Sequence, residues 1–189
     1  MDIFAHTLWT AALAKGANTN KKVIEKNTKP LRVGWAAFFG VAPDLFAFSP
    51  VFFVAFFMLI SGKISFGEFG NHHGLSALEA MPSWLDPSGL YHISHSVVIF
   101  LAVFLVVWAI RRRPYYEMMG WLLHILIDIP SHAASFYPTP FLWPLSDYRF
   151  LHGVSWANPT YMIINYSLLV IVWVYFLVKR KKVQEKTSL

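Results

Sequence analysis

The sequence feature that most limits the fold is a set of long apolar runs without charge. Residues 160–178 and 94–110 contain no Asp, Glu, Lys or Arg over 19 and 17 residues. As helices they would be roughly 25–28 Å long, close to the roughly 30 Å hydrocarbon core of a bilayer. Only 14% of the chain is charged, which argues against a soluble globule and against a disordered tail. The sequence therefore predicts an all-α membrane protein.

Two further segments extend this prediction. Residues 115–129 are apolar but are interrupted by Glu117, His124 and Asp128. Residues 3–14 are apolar and short, and they are interpreted as a helix of the mature protein because no basic stretch precedes them, as it would in a signal peptide.

The stretch 33–60 is also apolar, but it contains Pro43, Asp44 and Pro50. Proline inside a helix removes a hydrogen bond and clashes with the preceding turn. We therefore expect a helix to about residue 42, a turn, and a second short helix over 51–60. The predicted architecture is a single helical domain over residues 1–189, with four to five membrane segments of unequal length.

Basic residues predict the orientation. Fourteen of the 16 Lys and Arg residues fall in three clusters, within residues 15–32, 111–113 and 179–186. Because positive residues concentrate on the cytoplasmic side, we expect an outer N-terminus and a cytoplasmic C-terminal tail over 179–189, as in a bacterial inner membrane. Two long outer loops, 61–91 and 131–159, follow. The net charge of +6 is then explained by the membrane topology. No nucleic-acid partner is expected, because few aromatic residues lie among the basic residues of these clusters.

This orientation places all eight histidines on the outer side, together with Asp44. His124 and Asp128 are four residues apart, so they share one helix face, and His132 continues that row unless Pro130 ends the helix. His92 and His95 are three residues apart. Imidazole and carboxylate ligands suit Zn²⁺, with Mn or Fe as alternatives, and a carboxylate inside an apolar helix needs a partner.

Each group also has a structural explanation. The His124–Asp128 pair can be a hydrogen bond between helices, and Asp44 can be a turn residue. His92 and His95 can cap a helix at the interface, and His6 can be a polar contact between helices. His72, His73 and His152 are interpreted as ordinary loop residues. Because these explanations need several coincidences on one membrane face, a joint metal site is favoured.

Several motifs together resemble a family of bacterial inner-membrane metal-dependent hydrolases. They are the early His6, the segments Gly40-Val41-Ala42-Pro43-Asp44 and Ser94-His95-Ser96, His124-x3-Asp128, and Pro144-Leu145-Ser146-Asp147-Tyr148-Arg149. Two positions depart from that family: Phe46 stands where a second acid is frequent, and Leu90-Tyr91-His92 replaces a His-Arg-Gly sequence. The resemblance implies a small multi-helix membrane protein with hydrolase activity.

The order of acids and histidines is also distantly similar to that of zinc-dependent phospholipases C and single-strand nucleases. This similarity implies metal ligation by His6, His95, His124 and Asp128, with His132 as a further candidate, and it makes Asp44 an acid or base beside the metal. That group also has a late His-x3-Glu, whereas here the matching stretch from His152 to Trp156 has no acid.

The functional hypothesis is a membrane-bound metal-dependent hydrolase acting on a phosphoester or another small or lipid-like substrate. His95, His124 and Asp128 would hold the first ion, and Asp128 would bridge to a second ion held by His6 or His132. Asp44 would orient the attacking water, and Arg149 would bind a phosphate oxygen unless it is an interfacial anchor. The alternatives are a transporter or proton relay, and a membrane interaction protein with a structural metal.

Overall fold

A computed structural model describes residues 1–19, 29–65, 87–135 and 137–187, with side chains to residue 179. This part of the chain is all-helical and contains no β-strand. The helices are α1 (Ile3–Ala17), α2 (Val33–Ile60), α3 (Pro87–Ser94), α4 (Val97–Arg111), α5 (Met119–Ser131) and α6 (Pro159–Thr187), with a 3₁₀ turn at Tyr116–Met118. His72 and His73 lie outside the described residues.

Two helices are long and apolar enough to cross a membrane: α2, and α6 over Pro159–Lys179. A third span is possible if α3 and α4 act together, since they form a broken pair bent by 56°. Helices α1 and α5 have 15 and 13 residues, which is short for the roughly 20 residues that a span needs. The described residues therefore support two to three spans, and the predicted four to five segments with two long loops remain a prediction.

The predicted break after residue 42 is wrong. Helix α2 continues without interruption from Val33 to Ile60, with Pro43 and Pro50 inside it. Each proline costs the helix roughly 3 kcal/mol in hydrogen bonding and sterics, but neighbouring helices in a membrane protein can satisfy the freed backbone groups. Here α1, α3 and α5 all pack against α2. The Gly40 carbonyl, next to the Phe39 carbonyl that Pro43 deprives of its amide donor, accepts a hydrogen bond from His124 Nδ1 at 2.7 Å.

Two glycines allow α1, α2 and α5 to approach closely. A Cβ at Gly40 would overlap the Thr10 side chain of α1, and a Cβ at Gly120 would collide with the backbone carbonyl of Ala36. Small residues at helix interfaces let backbones come together where lipid gives no hydrophobic driving force. The close packing places the middle of α2 beside the inner faces of the two shorter helices.

The break between α3 and α4 fixes a third segment at the same level. Ser96 is the N-cap of α4, with its hydroxyl oxygen accepting from the Ile99 amide at 3.2 Å and donating to the Trp143 carbonyl. An N-cap serine satisfies one of the free amides at a helix start. The chain therefore turns at Ser94 to Ser96, and His95 lies at the turn, fully buried.

Candidate metal centre

Four buried side chains from three parts of the chain bring their potential ligand atoms together. Asp44 comes from the middle of α2, His95 from the α3–α4 turn, and His124 and Asp128 from one face of α5. One ligand atom from each lies within 4.8 Å of every other. This group of four could hold a metal ion, and we call it the four-residue centre.

The spacing within the four-residue centre is short enough for its ligand atoms to share one ion. His95 Nε2 lies 3.0 Å from His124 Nε2 and 3.4 Å from both Asp44 Oδ1 and Asp128 Oδ2. His124 Nε2 lies 3.6 Å from Asp44 Oδ1 and 3.1 Å from Asp128 Oδ2. Bonds of about 2.0–2.1 Å around a tetrahedral zinc imply edges of about 3.3–3.4 Å between ligand atoms. The five distances bracket that value.

Hydrogen bonds orient the two imidazoles. A carbonyl can only accept, so His124 Nδ1 donates to the Gly40 oxygen. In a neutral His124 the proton then resides on Nδ1, and Nε2 presents a lone pair. The Ser94 hydroxyl lies 2.9 Å from His95 Nδ1 and 3.4 Å from the Tyr91 carbonyl, so it links the second ring to the backbone. The Nε2 atoms of the two rings face each other across 3.0 Å, beside two carboxylate oxygens.

The Asp128 carboxylate is incompletely satisfied by hydrogen bonds. Its Oδ2 atom is buried and has no hydrogen-bond donor among the described residues, although His124 Nε2 is only 3.1 Å away. A neutral His124 that is protonated on Nδ1 has no hydrogen on Nε2, so it cannot donate to Asp128 Oδ2 even at this short distance. A buried carboxylate oxygen without a donor is costly, and a cation would supply the missing partner.

A second set of groups surrounds the other oxygen of the same carboxylate. Asp128 Oδ1 lies 2.5 Å from the Met1 amino nitrogen, 2.9 Å from His6 Nε2 and 3.5 Å from His132 Nε2. The His6 ring stacks on His124 with centroids 3.7 Å apart. Asp128 therefore lies between the four-residue centre and a second nitrogen-rich group, which we call the Asp128 Oδ1 group.

Tyr91 links the two groups, and sequence reasoning did not select it. Its ring stacks on His95 with centroids 3.8 Å apart, and its hydroxyl donates to the Tyr137 carbonyl at 2.9 Å and contacts His132 Nδ1 at 3.0 Å. Burial lowers the pKa of the His132 imidazole below its ordinary value, which favours a neutral ring at pH 7. Nothing in the sequence pattern distinguishes Tyr91 from the other aromatic residues. The Met1 amino group was missed because its contact with Asp128 joins residues 127 positions apart.

The remaining candidates lie outside the four-residue centre. Arg149 Nη2 donates to His92 Nε2 at 2.7 Å, and His92 Nδ1 donates to the Ser88 carbonyl at 2.5 Å. Together with Tyr91 they line an outer cavity of about 290 Å³. His152 packs edge-on against Phe150 and does not join the ligand atoms.

Access to the four-residue centre is asymmetric. The Asp44 side chain is 10% exposed, whereas those of His95, His124 and Asp128 are at most 1% exposed. Asp44 was predicted as a catalytic acid or base rather than a ligand, and the structure places its Oδ1 atom 3.4 Å from His95 Nε2 and 3.6 Å from His124 Nε2. Any water or substrate that reaches this centre in the described structure approaches it at Asp44.

Comparisons with protein-family models, with curated proteins and with solved structures found no match.

Proposed function

We propose that this protein is a membrane-bound hydrolase that uses a divalent metal, with zinc favoured and Mn or Fe as alternatives. One observation carries the proposal: two imidazole nitrogens and two carboxylate oxygens, all from buried residues, converge within 4.8 Å of one another. Mixed nitrogen and oxygen ligands are typical of zinc. The aromatic and carbonyl partners of His95 and His124 would hold the rings in the orientation that a metal requires.

The arrangement suits catalysis better than a closed structural site. A catalytic zinc typically has three protein ligands and an open fourth position, where a bound water has its pKa lowered toward about 7. His95, His124 and Asp128 are the three inaccessible groups, and Asp44 is the accessible one. We assign the first three to metal ligation and Asp44 to orienting the attacking water and accepting its proton.

The Asp128 Oδ1 group supports a second ion. His6 and His132 present ring nitrogens to Asp128 Oδ1, and neither His6 nitrogen has a hydrogen-bond partner of satisfactory geometry among the described residues. With Asp128 bridging, the two groups would form a two-metal site of the kind that stabilises attacking and leaving oxygens in phosphoester hydrolysis.

An apolar groove favours a lipid-like phosphoester as the substrate. The groove has a volume of about 860 Å³ and is formed by α1, α5 and α6, with walls that include Leu13, Ala17 and Leu126. One end of the groove is at Met1, whose amino group contacts Asp128. The groove follows α1, which is roughly 20 Å long at 1.5 Å per residue. An acyl chain fits such a groove, with its polar end at the metal groups. Arg149 would hold a phosphate oxygen with the guanidinium donors that His92 leaves free.

Metal content and hydrolysis test the proposal together. Detergent-purified wild-type protein is expected to contain stoichiometric metal, whereas His95→Ala, His124→Ala and Asp128→Ala lose it. His152→Ala is the matched control and should retain metal. The loaded wild type should cleave a phosphodiester, and a phospholipid faster, with both reactions abolished by a chelator. Folded wild type without metal refutes the metal centre. Metal without cleavage of either substrate refutes the phosphoesterase assignment alone.

A transporter or proton relay is the alternative, since ionisable groups inside membrane helices also mark ion pathways. That function needs polar groups that continue toward the other membrane face. Helix α4 has no Asp, Glu, His, Lys or Arg from Val97 to Ile110, and α6 has none from Pro159 to Val178. These apolar stretches favour a site that opens on one side only.

The proposed orientation puts the metal groups outside the cytoplasm of a bacterial cell, with the C-terminal tail inside. Reporter fusions at Gly70 and Lys182 test it. They should report opposite sides of the membrane, and the same side for both would refute the orientation.

A further inference from the structure

A basic cavity lies at the N-terminal end of α2 and the C-terminal end of α4, away from the metal groups. It has a volume of about 570 Å³ and lies between the residues that enter α2 and those that follow α4. Arg32 is the N-cap of α2, twelve residues before Asp44, so roughly 18 Å of helix separates the two sites. Its charged lining residues are Lys29, Arg32, Arg111, Arg113 and Glu117.

The single acidic residue that lines the cavity, Glu117, already has a basic partner. Arg32 Nε lies 3.2 Å from Glu117 Oε1, and the Arg32 backbone amide donates to the same oxygen at 3.3 Å. Glu117 is buried. Lys29, Arg111 and Arg113 therefore leave an excess of positive charge that no acidic lining residue neutralises.

Tyr115 gives the cavity a fixed geometry that a simple cluster of basic residues lacks. Its hydroxyl accepts from Arg32 Nη2 at 2.6 Å, and the guanidinium of Arg111 lies over its ring, 4.7 Å from the centroid. Helix α4 ends at Arg111, and Arg112 has a φ of 56° in the left-handed region. This turn allows both Arg111 and Arg113 to line the cavity.

The surroundings of the cavity indicate a ligand with an apolar tail. Ile110, next to Arg111, is 76% exposed, and Trp108 and Trp35 are also exposed. Helix α2, which begins here, is a candidate membrane span, and α4, which ends here, forms one only together with α3. We therefore place the cavity where headgroups meet the hydrocarbon core. Exposed Trp residues are typical of that depth, and basic pockets between membrane helices bind anionic headgroups.

We propose that this cavity binds the phosphate headgroup of an anionic phospholipid from the adjacent leaflet, with the acyl chains along the exposed faces of α2 and α4. Arg111 and Arg113 contact the phosphate through charge-assisted hydrogen bonds. Arg32 is a positioning residue, since it is held by Glu117 and Tyr115. The site does not depend on the metal centre, so either can fail without the other.

Lipid titration with native mass spectrometry tests the proposal. Phosphatidylglycerol and phosphatidylcholine of matched chain length are titrated against the detergent-purified protein at fixed ionic strength. Wild type should prefer phosphatidylglycerol by about tenfold or more, as expected for two to three basic contacts. The double variant Arg111→Gln/Arg113→Gln should lose that preference. Lys63→Gln, which removes an exposed positive charge beyond the other end of α2, should retain it.

Three further results decide the assignment. Equal affinity of wild type for the two lipids, or an unchanged preference in the double variant, overturns it. If inorganic phosphate displaces phosphatidylglycerol at equal concentration, the ligand is a free anion and the assignment to a lipid is overturned. If the double variant does not fold, Lys29→Gln replaces it, and its preference should fall while its melting temperature stays at the wild-type value.

Discussion

Helices α5 and α6 differ in length, exposure and polar content: α6 is a candidate membrane span, and α5 carries two residues of the candidate metal centre. The apolar part of α6 has 21 residues, and only 17% of its most apolar window is buried. Helix α5 has 13 residues, yet His124, Ile125 and Asp128 on it are completely buried. Length and hydropathy therefore mark the helix that faces lipid, and buried polar residues mark the helix that forms the site.

The physical reason is the solvent. A polar group that faces hydrocarbon has no partner, so its cost forces it toward the interior of the bundle or into a water-filled cavity. Helix α5 is too short to be a typical span, and it packs against α1 and α2. Its polar face is thereby shielded from lipid, and α6 is left with an almost uniformly apolar surface.

The largest effect should come from removing the charge of Asp128. Asp128→Asn leaves the Met1 amino group and the adjacent imidazoles without their anion, and breaking one side of a buried charge pair costs about 3–5 kcal/mol. Tyr175→Phe, at an exposed position of α6, should change the free energy of unfolding by less than about 0.5 kcal/mol. Thermal unfolding in detergent, with a chelator present in both samples, measures the difference. A cost for Asp128→Asn as small as that of Tyr175→Phe would contradict a buried electrostatic role.

The next largest effect should come from Gly120→Ala. The new methyl group would meet the Ala36 carbonyl, which is backbone and cannot rotate away, so overpacking should cost about 1–3 kcal/mol. Gly34→Ala is the matched control, because nothing lies within 4 Å of its Cβ position. It should stabilise α2 by up to about 1 kcal/mol through its higher helix propensity. Opposite shifts of the melting temperature are expected, and equal shifts would refute the close α2–α5 contact.

The sequence was sufficient to predict the apolar span of α6 and the pairing of His124 with Asp128. The span follows from hydropathy, and the pairing follows from the helical repeat. That Asp44 and His95 come near that pair was predicted only by their common side in the expected orientation, since no local pattern joins residues 44, 95 and 124.

The misses have physical causes. Pro43 and Pro50 were expected to break α2, but α1, α3 and α5 pack along that helix, and neighbouring helices can offset the hydrogen bonds that proline removes. Tyr91 was missed because ring stacking on His95 depends on tertiary contacts. The α3–α4 turn that carries His95 was predicted only as the start of a helix, and its burial depends on Ser96 and on the loop that contains Trp143.

A smaller effect is expected for Tyr91→Phe, which keeps the ring on His95 and removes the hydroxyl near His132. The four-residue centre should retain its metal, and the second ion should bind about tenfold more weakly, as is typical of lost outer contacts to a ligand. Metal titration followed by calorimetry separates the two ions. Equal weakening of both ions would contradict the assignment of His132 to a separate Asp128 Oδ1 group.

The smallest effect should come from the polar pair that joins α1 to α6. Trp9 Nε1 donates to Asn165 Oδ1 at 2.8 Å, while Asn165 Nδ2 is buried without a partner in the described structure. Asn165→Leu therefore removes one hydrogen bond and one unsatisfied donor together. A double-mutant cycle with Trp9→Phe should give a coupling of about 0.6 kcal/mol, the average for hydrogen bonds between membrane helices. If Asn165→Leu instead costs as much as Asp128→Asn, α6 belongs to the polar core, and the distinction between an exposed apolar α6 and a buried polar face of α5 is wrong.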